Sequence, residues 1–194
     1  MIYQNIKIKS INFDKFIQKN EQMCYTIEKD KKGIKNMIRI MFVCLGNICR
    51  SPMAEFVLKY MVKKEELENH FFISSSATSY EEIGNDIHYG TRNKLTKEGI
   101  PFTKREAKRL QKEDYDNYDF ILGMEESNIR NIKRIVGNDK ENKVYRLLDF
   151  SKYPRDIADP WYTENFDVTY NDIVEGCEGF IKYLKEKDFK IWLK

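Results

Sequence analysis

Cys44 and Arg50 are separated by five residues in the run Cys44-Leu45-Gly46-Asn47-Ile48-Cys49-Arg50, and Ser51 and Pro52 follow at once. A thiol acts as a nucleophile in its thiolate form, and a guanidinium offers a planar fork matched to two oxygens of a phosphate. Held in one loop, the pair suits attack on phosphorus, because a field that gathers a phosphate dianion also stabilises a thiolate. Such a reaction needs a proton donor for the leaving oxygen. Asp156 and Asp159 both stand in the segment 151–165 as candidates, and Pro160 would stiffen the chain beside Asp159. Gly46 and Asn47 are the loop residues able to take positive φ and turn several amides inward.

These residues need a strand before them and a helix after them. Ile38, Ile40, Met41, Phe42 and Val43 form an apolar run broken only by Arg39, the pattern of a parallel strand buried on both faces, and Cys44 ends it. Ser51 suits a helix N-cap and Pro52 the first helical position, after which Met53, Phe56, Val57, Tyr60 and Met61 recur on one helical face. A loop entering a helix N-terminus aims unpaired N–H groups and the positive end of the helix dipole at its contents, so this is an anion site. Ser51 is also placed to donate its hydroxyl to the sulfur and lower the thiol's pKa.

Further along, Phe71-Phe72-Ile73 predicts a second strand that gives way at Ser74 to a polar loop. Residues 89–98 read as a helix stopped by Gly99 and Pro101, Phe120-Ile121-Leu122 as a third strand, and Ser127 and Asn128 as the lead into a helix carrying Ile129, Ile132 and Ile135. Val144, Tyr145, Leu147 and Leu148 give a fourth strand. Phe166, Tyr170, Ile173, Val174, Cys177, Ile181 and Leu184 mark a long amphipathic helix in which Cys177 packs. The alternation predicts the α/β class: a doubly wound, open four-stranded parallel sheet with helices on both faces and ligands bound beyond the carboxyl ends of its strands. His70 and His88 have no carboxylate partner fixed by spacing and read as surface residues.

The chain has 194 residues, of which 41% are hydrophobic and 13% aromatic, enough for one α/β core. No apolar run approaches a membrane span, no signal peptide opens the chain, and no basic stripe with interleaved aromatics suggests nucleic acid, so a cytoplasmic protein is expected. Four cysteines, at 24, 44, 49 and 177, have no metal-like spacing. Residues 1–36 hold eight lysines against four acids, whereas 37–194 carry 26 basic and 27 acidic residues. The first 36 residues therefore read as an extension of unknown role, dispensable to a domain at 37–194.

The string VCLGNICRSP at 43–52, with Asp159-Pro160-Trp161-Tyr162, closely resembles the low-molecular-weight protein tyrosine phosphatases. SSATS at 75–79, EEIGN at 81–85 and KEDYDNYDFILGMEESN at 112–128 extend the resemblance from about Met37 to the last helix. The resemblance implies hydrolysis of phosphotyrosine in proteins through a phosphocysteine, by a monomer that needs no metal or organic cofactor. Cys44 is then the nucleophile, Arg50 the phosphate clamp and Asp159 the general acid, with Asp156 left to solvent. Leu45, Gly46, Asn47, Ile48, Cys49 and Ser51 form the phosphate-binding loop. Ser75 either supports Asn47 or ends its strand in solvent.

Trp161 and Tyr162 either wall the cleft for the substrate's phenyl ring or form an apolar lid over their own loop. The family carries an aromatic near Glu81 on the opposite wall; here that position is acidic, with Tyr80 beside it. Family members that act on phosphoarginine resemble CxGNTCRSP, with threonine where this chain has Ile48, so Ile48 favours a flat phenyl ring unless it only packs beneath the loop. A related arsenate reductase would require further cysteines after the third strand, and Gly123 and its neighbours supply none. Cys49 is either a partner for a protective disulfide with Cys44 or a small buried apolar residue.

Overall fold

The computed structural model describes residues 37–187, so the expectation for 1–36 lies outside the described residues. Strand β1 (Ile38–Cys44) is buried along its length except at Arg39, as a two-faced apolar run requires. It lies at the centre of a four-stranded, wholly parallel sheet of order β2-β1-β3-β4, with β2 at Phe71–Ala77, β3 at Phe120–Gly123 and β4 at Val144–Arg146. The pleat divides the strand's side chains between two cores. Ile38, Ile40 and Phe42 join Met53, Val57, Phe180 and Leu184 on one face, while Met41 and Val43 join Ile121, Ile129 and Ile132 on the other.

The first face is covered by α1 (Arg50–Lys64) and the long α6 (Phe166–Glu186), the second by α4 (Glu126–Val136). Between them run α2 (Tyr89–Lys97) and two single-turn helices, α3 (Asp114–Asn117) and α5 (Pro160–Thr163). The doubly wound sheet with helices on both faces is as expected. Among the described residues no helix is long and apolar enough to cross a membrane.

Three local expectations are corrected. Strand β2 does not stop at Ile73: Ser74, Ser75, Ser76 and Ala77 stay in register with Met41, Phe42, Val43 and Cys44, because the parallel ladder satisfies their backbone and the Ser74 and Ser75 hydroxyls bond to Tyr118 and Glu55. Strand β4 ends at Arg146, and Leu147 and Leu148 lie fully buried in a 3₁₀ turn (Leu147–Phe150). Helix α1 starts two residues early, with Cys49 at the N-cap and Arg50 in the first turn. Ser51 therefore lies inside the helix and is not its cap; its hydroxyl is committed to the site.

Candidate active site

Cys44 stands at the carboxyl end of β1, where an open parallel sheet places its ligands, and only 3% of it is exposed. The Asn47 N–H donates to its sulfur at 3.3 Å, and the Ser51 hydroxyl lies 3.1 Å from it in a bond that either atom can donate. Asn47 Nδ2 donates to Ser51 Oγ at 2.8 Å, and the serine's one hydrogen has the sulfur and the Ser76 carbonyl, at 3.3 Å, as its acceptors; once the sulfur is a thiolate it can only accept.

Asn47 is the only residue of the loop with positive φ, 60°, and it is buttressed from behind. Its Nδ2 also donates to Ser75 Oγ at 2.9 Å, and Ser75 donates onward to the buried carboxylate of Glu55 at 2.6 Å. Its Oδ1 accepts from Arg105 Nη2 at 2.7 Å and from the Lys108 N–H at 3.1 Å. Ser75 thus contacts Asn47 and does not end its strand in solvent. Gly46, expected to share the left-handed role, does not take positive φ; a Cβ there would lie 3.0 Å from Glu82 Cγ, and the glutamate side chain would have to shift to admit it. Leu45 contributes its carbonyl, which accepts from Thr78 and Ser79. Ile48 is buried with Cys49 and Ala107 and packs against Phe166, the packing alternative of its two expected roles. Cys49 is a free, buried thiol whose pKa is pushed up to about 12, first by burial and then by the neighbouring Cys44 and Asp159.

Arg50 is 1% exposed. Burial opposes its charge, but Cys44, Asp159 and Glu125 outweigh that and hold its pKa above the ordinary value. Its Nη2 pairs directly with Asp159 Oδ2, its Nη1 lies 3.3 Å from Glu125 Oε2, and Nη1 also donates to the Ile157 carbonyl at 3.1 Å. Its Nε–H is buried without a hydrogen-bond partner, a donor that an anion's oxygen would satisfy.

Asp159 caps α5 by accepting from the Trp161 N–H at 3.1 Å, with Pro160 in the first helical position. Its loop is pinned at Ile157, whose N–H donates to the Met124 carbonyl, and at Arg155, which pairs with Asp172 and Glu175 of α6 at 2.6 Å each. Asp156, expected in solvent, is half exposed but paired with Arg146 at 2.9 Å, and it accepts from the Glu126 N–H. Trp161 and Tyr162 are 54% and 77% exposed. Tyr80 is exposed with Arg109 over its ring, Glu81 is exposed, and the acid that touches the loop is Glu82.

The structure thus brings Cys44, Arg50, Asp159, Ser51 and Ser75 into one connected site. Sequence reasoning missed Glu125, Arg105 and Glu55, although an acid directly beyond a strand's carboxyl end was a usable signal for Glu125. It also misplaced His88. That ring is half-buried between Phe166 and Trp161, and burial, followed by Arg92, holds its pKa below the ordinary value against the opposing pull of Glu82.

The profile of the family described as low molecular weight phosphotyrosine protein phosphatase matches residues 39–190. Over 153 residues the chain is 36% identical to the low molecular weight protein-tyrosine-phosphatase YfkJ of Bacillus subtilis, covering 78% of this chain and 98% of that protein. It is 37% identical over 149 residues to PtpA of Staphylococcus aureus, covering 76% and 94%. The crystal structure of YfkJ superimposes with a TM-score of 0.75, covering 79% of this chain and 98% of that one. That of DARP, a Drosophila arginine phosphatase, gives 0.72 at 25% identity, covering 78% and 100%. With a profile spanning most of its length and relatives above one-third identity, the chain belongs to the low molecular weight phosphotyrosine protein phosphatase family.

Proposed function

We propose that this protein hydrolyses phosphotyrosine in proteins in two steps, with Cys44 as nucleophile, Arg50 as phosphate clamp and Asp159 as acid and then base. One observation carries the assignment: a buried thiol, hydrogen-bonded to the Asn47 N–H and the Ser51 hydroxyl, shares a helix N-terminus with a buried guanidinium whose Nε–H has no hydrogen-bond partner. Cys44 attacks phosphorus in line with the phenolate; the S–P bond forms as the P–O bond breaks, and Asp159 gives its proton to the leaving oxygen. Arg50 and the loop amides hold the equatorial oxygens through the transition state.

The Arg50–Asp159 pair sets the acid beside the phosphate clamp, and a phosphate dianion that takes the guanidinium would release the Asp159 carboxyl toward the leaving oxygen. Glu125 keeps hold of Arg50 throughout. Water then cleaves the S–P bond with Asp159 as base, and the Ser51 hydroxyl steadies the departing thiolate. The same reading has the protein acting as a cytoplasmic monomer.

Cys44→Ser is expected to abolish release of p-nitrophenol from its phosphate. Asp159→Ala should lose about 10²- to 10⁴-fold on phosphotyrosine, whose leaving group is poor. Normal phosphotyrosine hydrolysis by Asp159→Ala would remove Asp159 from the acid's role. Phosphoarginine, the substrate class named for the Drosophila relative, is the rival reading. Matched phosphotyrosine and phosphoarginine peptides separate the two, with higher kcat/KM expected on phosphotyrosine. Because Ile48 takes the packing role, Ile48→Thr should leave that ratio near the wild-type value, and a shift toward phosphoarginine would restore Ile48 as a determinant of specificity.

A further inference from the structure

His88 is fastened on four sides. Its backbone N–H donates to the Ile48 carbonyl of the phosphate loop at 2.9 Å, and its Nδ1 accepts from the Gly90 N–H at 3.2 Å to cap α2. Accepting at Nδ1 puts the hydrogen of the neutral ring on Nε2. The imidazole lies nearly parallel to Phe166, with centroids 5.5 Å apart and planes 7° apart, and meets the Trp161 indole edge-on at 5.6 Å and 65°. Gly90 makes the stack possible, since a Cβ there would lie 2.4 Å from the Phe166 ring. Phe166 in turn packs against the buried patch of Ile48 and Cys49. One aromatic unit therefore joins the phosphate loop, the start of α2, the start of α6 and the indole two residues beyond Asp159.

We propose that His88 is a positioning residue for the leaving group: its ring sets the Trp161 indole as the wall on which the substrate's phenyl ring rests. The proposal deepens the phosphotyrosine reading above and rests on it. Trp161 is 54% exposed, and the histidine that meets it is itself pinned by a stacked ring and a backbone bond. Holding the indole in one orientation before binding removes an ordering cost that an aryl substrate would otherwise meet. A phosphate without a ring gains nothing from that wall.

The test compares kcat/KM on a phosphotyrosine peptide with kcat/KM on acetyl phosphate, which has no ring. His88→Asn keeps a capping acceptor and loses the ring; His88→Phe keeps a ring and loses the acceptor. In His88→Asn the phosphotyrosine-to-acetyl-phosphate ratio should fall about 3- to 10-fold, the worth of one aromatic pair, with KM for the peptide carrying most of it. His88→Phe should restore the ratio while lowering Tm through the lost cap. In a Trp161→Ala background, His88→Asn should lower the ratio no further. Equal losses on both substrates in His88→Asn, no recovery in His88→Phe, or an additional fall in the Trp161→Ala background would each overturn the proposal. Cys44→Ser assayed alongside tests the phosphatase reading separately, because surviving acetyl phosphate turnover would remove that reading whatever the ratio does.

Discussion

Asn47 bears the conformational burden of the phosphate loop. A left-handed φ costs a residue with a Cβ roughly 1–2 kcal/mol, and here two donated and two accepted side-chain bonds offset it. Arg105 is the strongest of these supports, because one guanidinium reaches Asn47 Oδ1 and the carbonyls of Asn47 and Ser75 together. Arg105→Gln cannot span all three. It should cost about 10- to 100-fold in kcat/KM, the worth of bonds to a charged donor, and it should weaken inhibition by inorganic phosphate in step. Undiminished phosphate inhibition in that variant would show that Asn47 holds its conformation unaided.

The acid loop reaches the site because the elements flanking it are held close. The 3₁₀ turn after β4 lies directly on α6, and two helix glycines permit the approach. A Cβ at Gly176 would lie 2.6 Å from Leu147 Cγ, and one at Gly179 only 2.2 Å from the Phe150 carbonyl oxygen. A leucine can rotate; a backbone carbonyl inside a packed turn cannot. Gly179→Ala should therefore destabilise the protein by about 3 kcal/mol, seen as a lower urea midpoint, and should cost more than Gly176→Ala. Equal midpoints for the two variants would mean that the turn yields as readily as a side chain.

Taken as a whole, the protein concentrates its sequence likeness and its balanced charge in one region. The family profile begins at residue 39, and residues 37–194 are close to neutral, whereas the excess of lysines lies in 1–36. We therefore expect a protein starting at Met37 to unfold cooperatively and to retain phosphatase activity. Loss of cooperative unfolding on truncation would make the extension part of the core.

The phosphate loop, its strand and its helix could be read from the chain because their causes are local. A two-faced apolar run, a cysteine, five residues and an arginine, and a helical repeat all lie within the 24 residues from Ile38 to Met61, and the alternation of strands and helices then implies a parallel sheet. Where the readings failed, the cause was distant in sequence. Ser51 looked like a cap because cap propensity is local, but its hydroxyl is claimed by a thiol seven residues away; Leu147 and Leu148 looked like strand because burial, not pairing, makes them apolar. Glu125 meets Arg50 across 75 residues, Arg105 meets Asn47 across 58, and Asp159 meets Arg50 across 109. No periodicity or propensity encodes such pairings, since they arise only when the sheet brings the carboxyl ends of β1 and β3 side by side and the acid loop closes over them. His88 makes the same point: its bond to Ile48, its stack on Phe166 and its edge-on contact with Trp161 require partners from three distant segments, and folding alone assembles them.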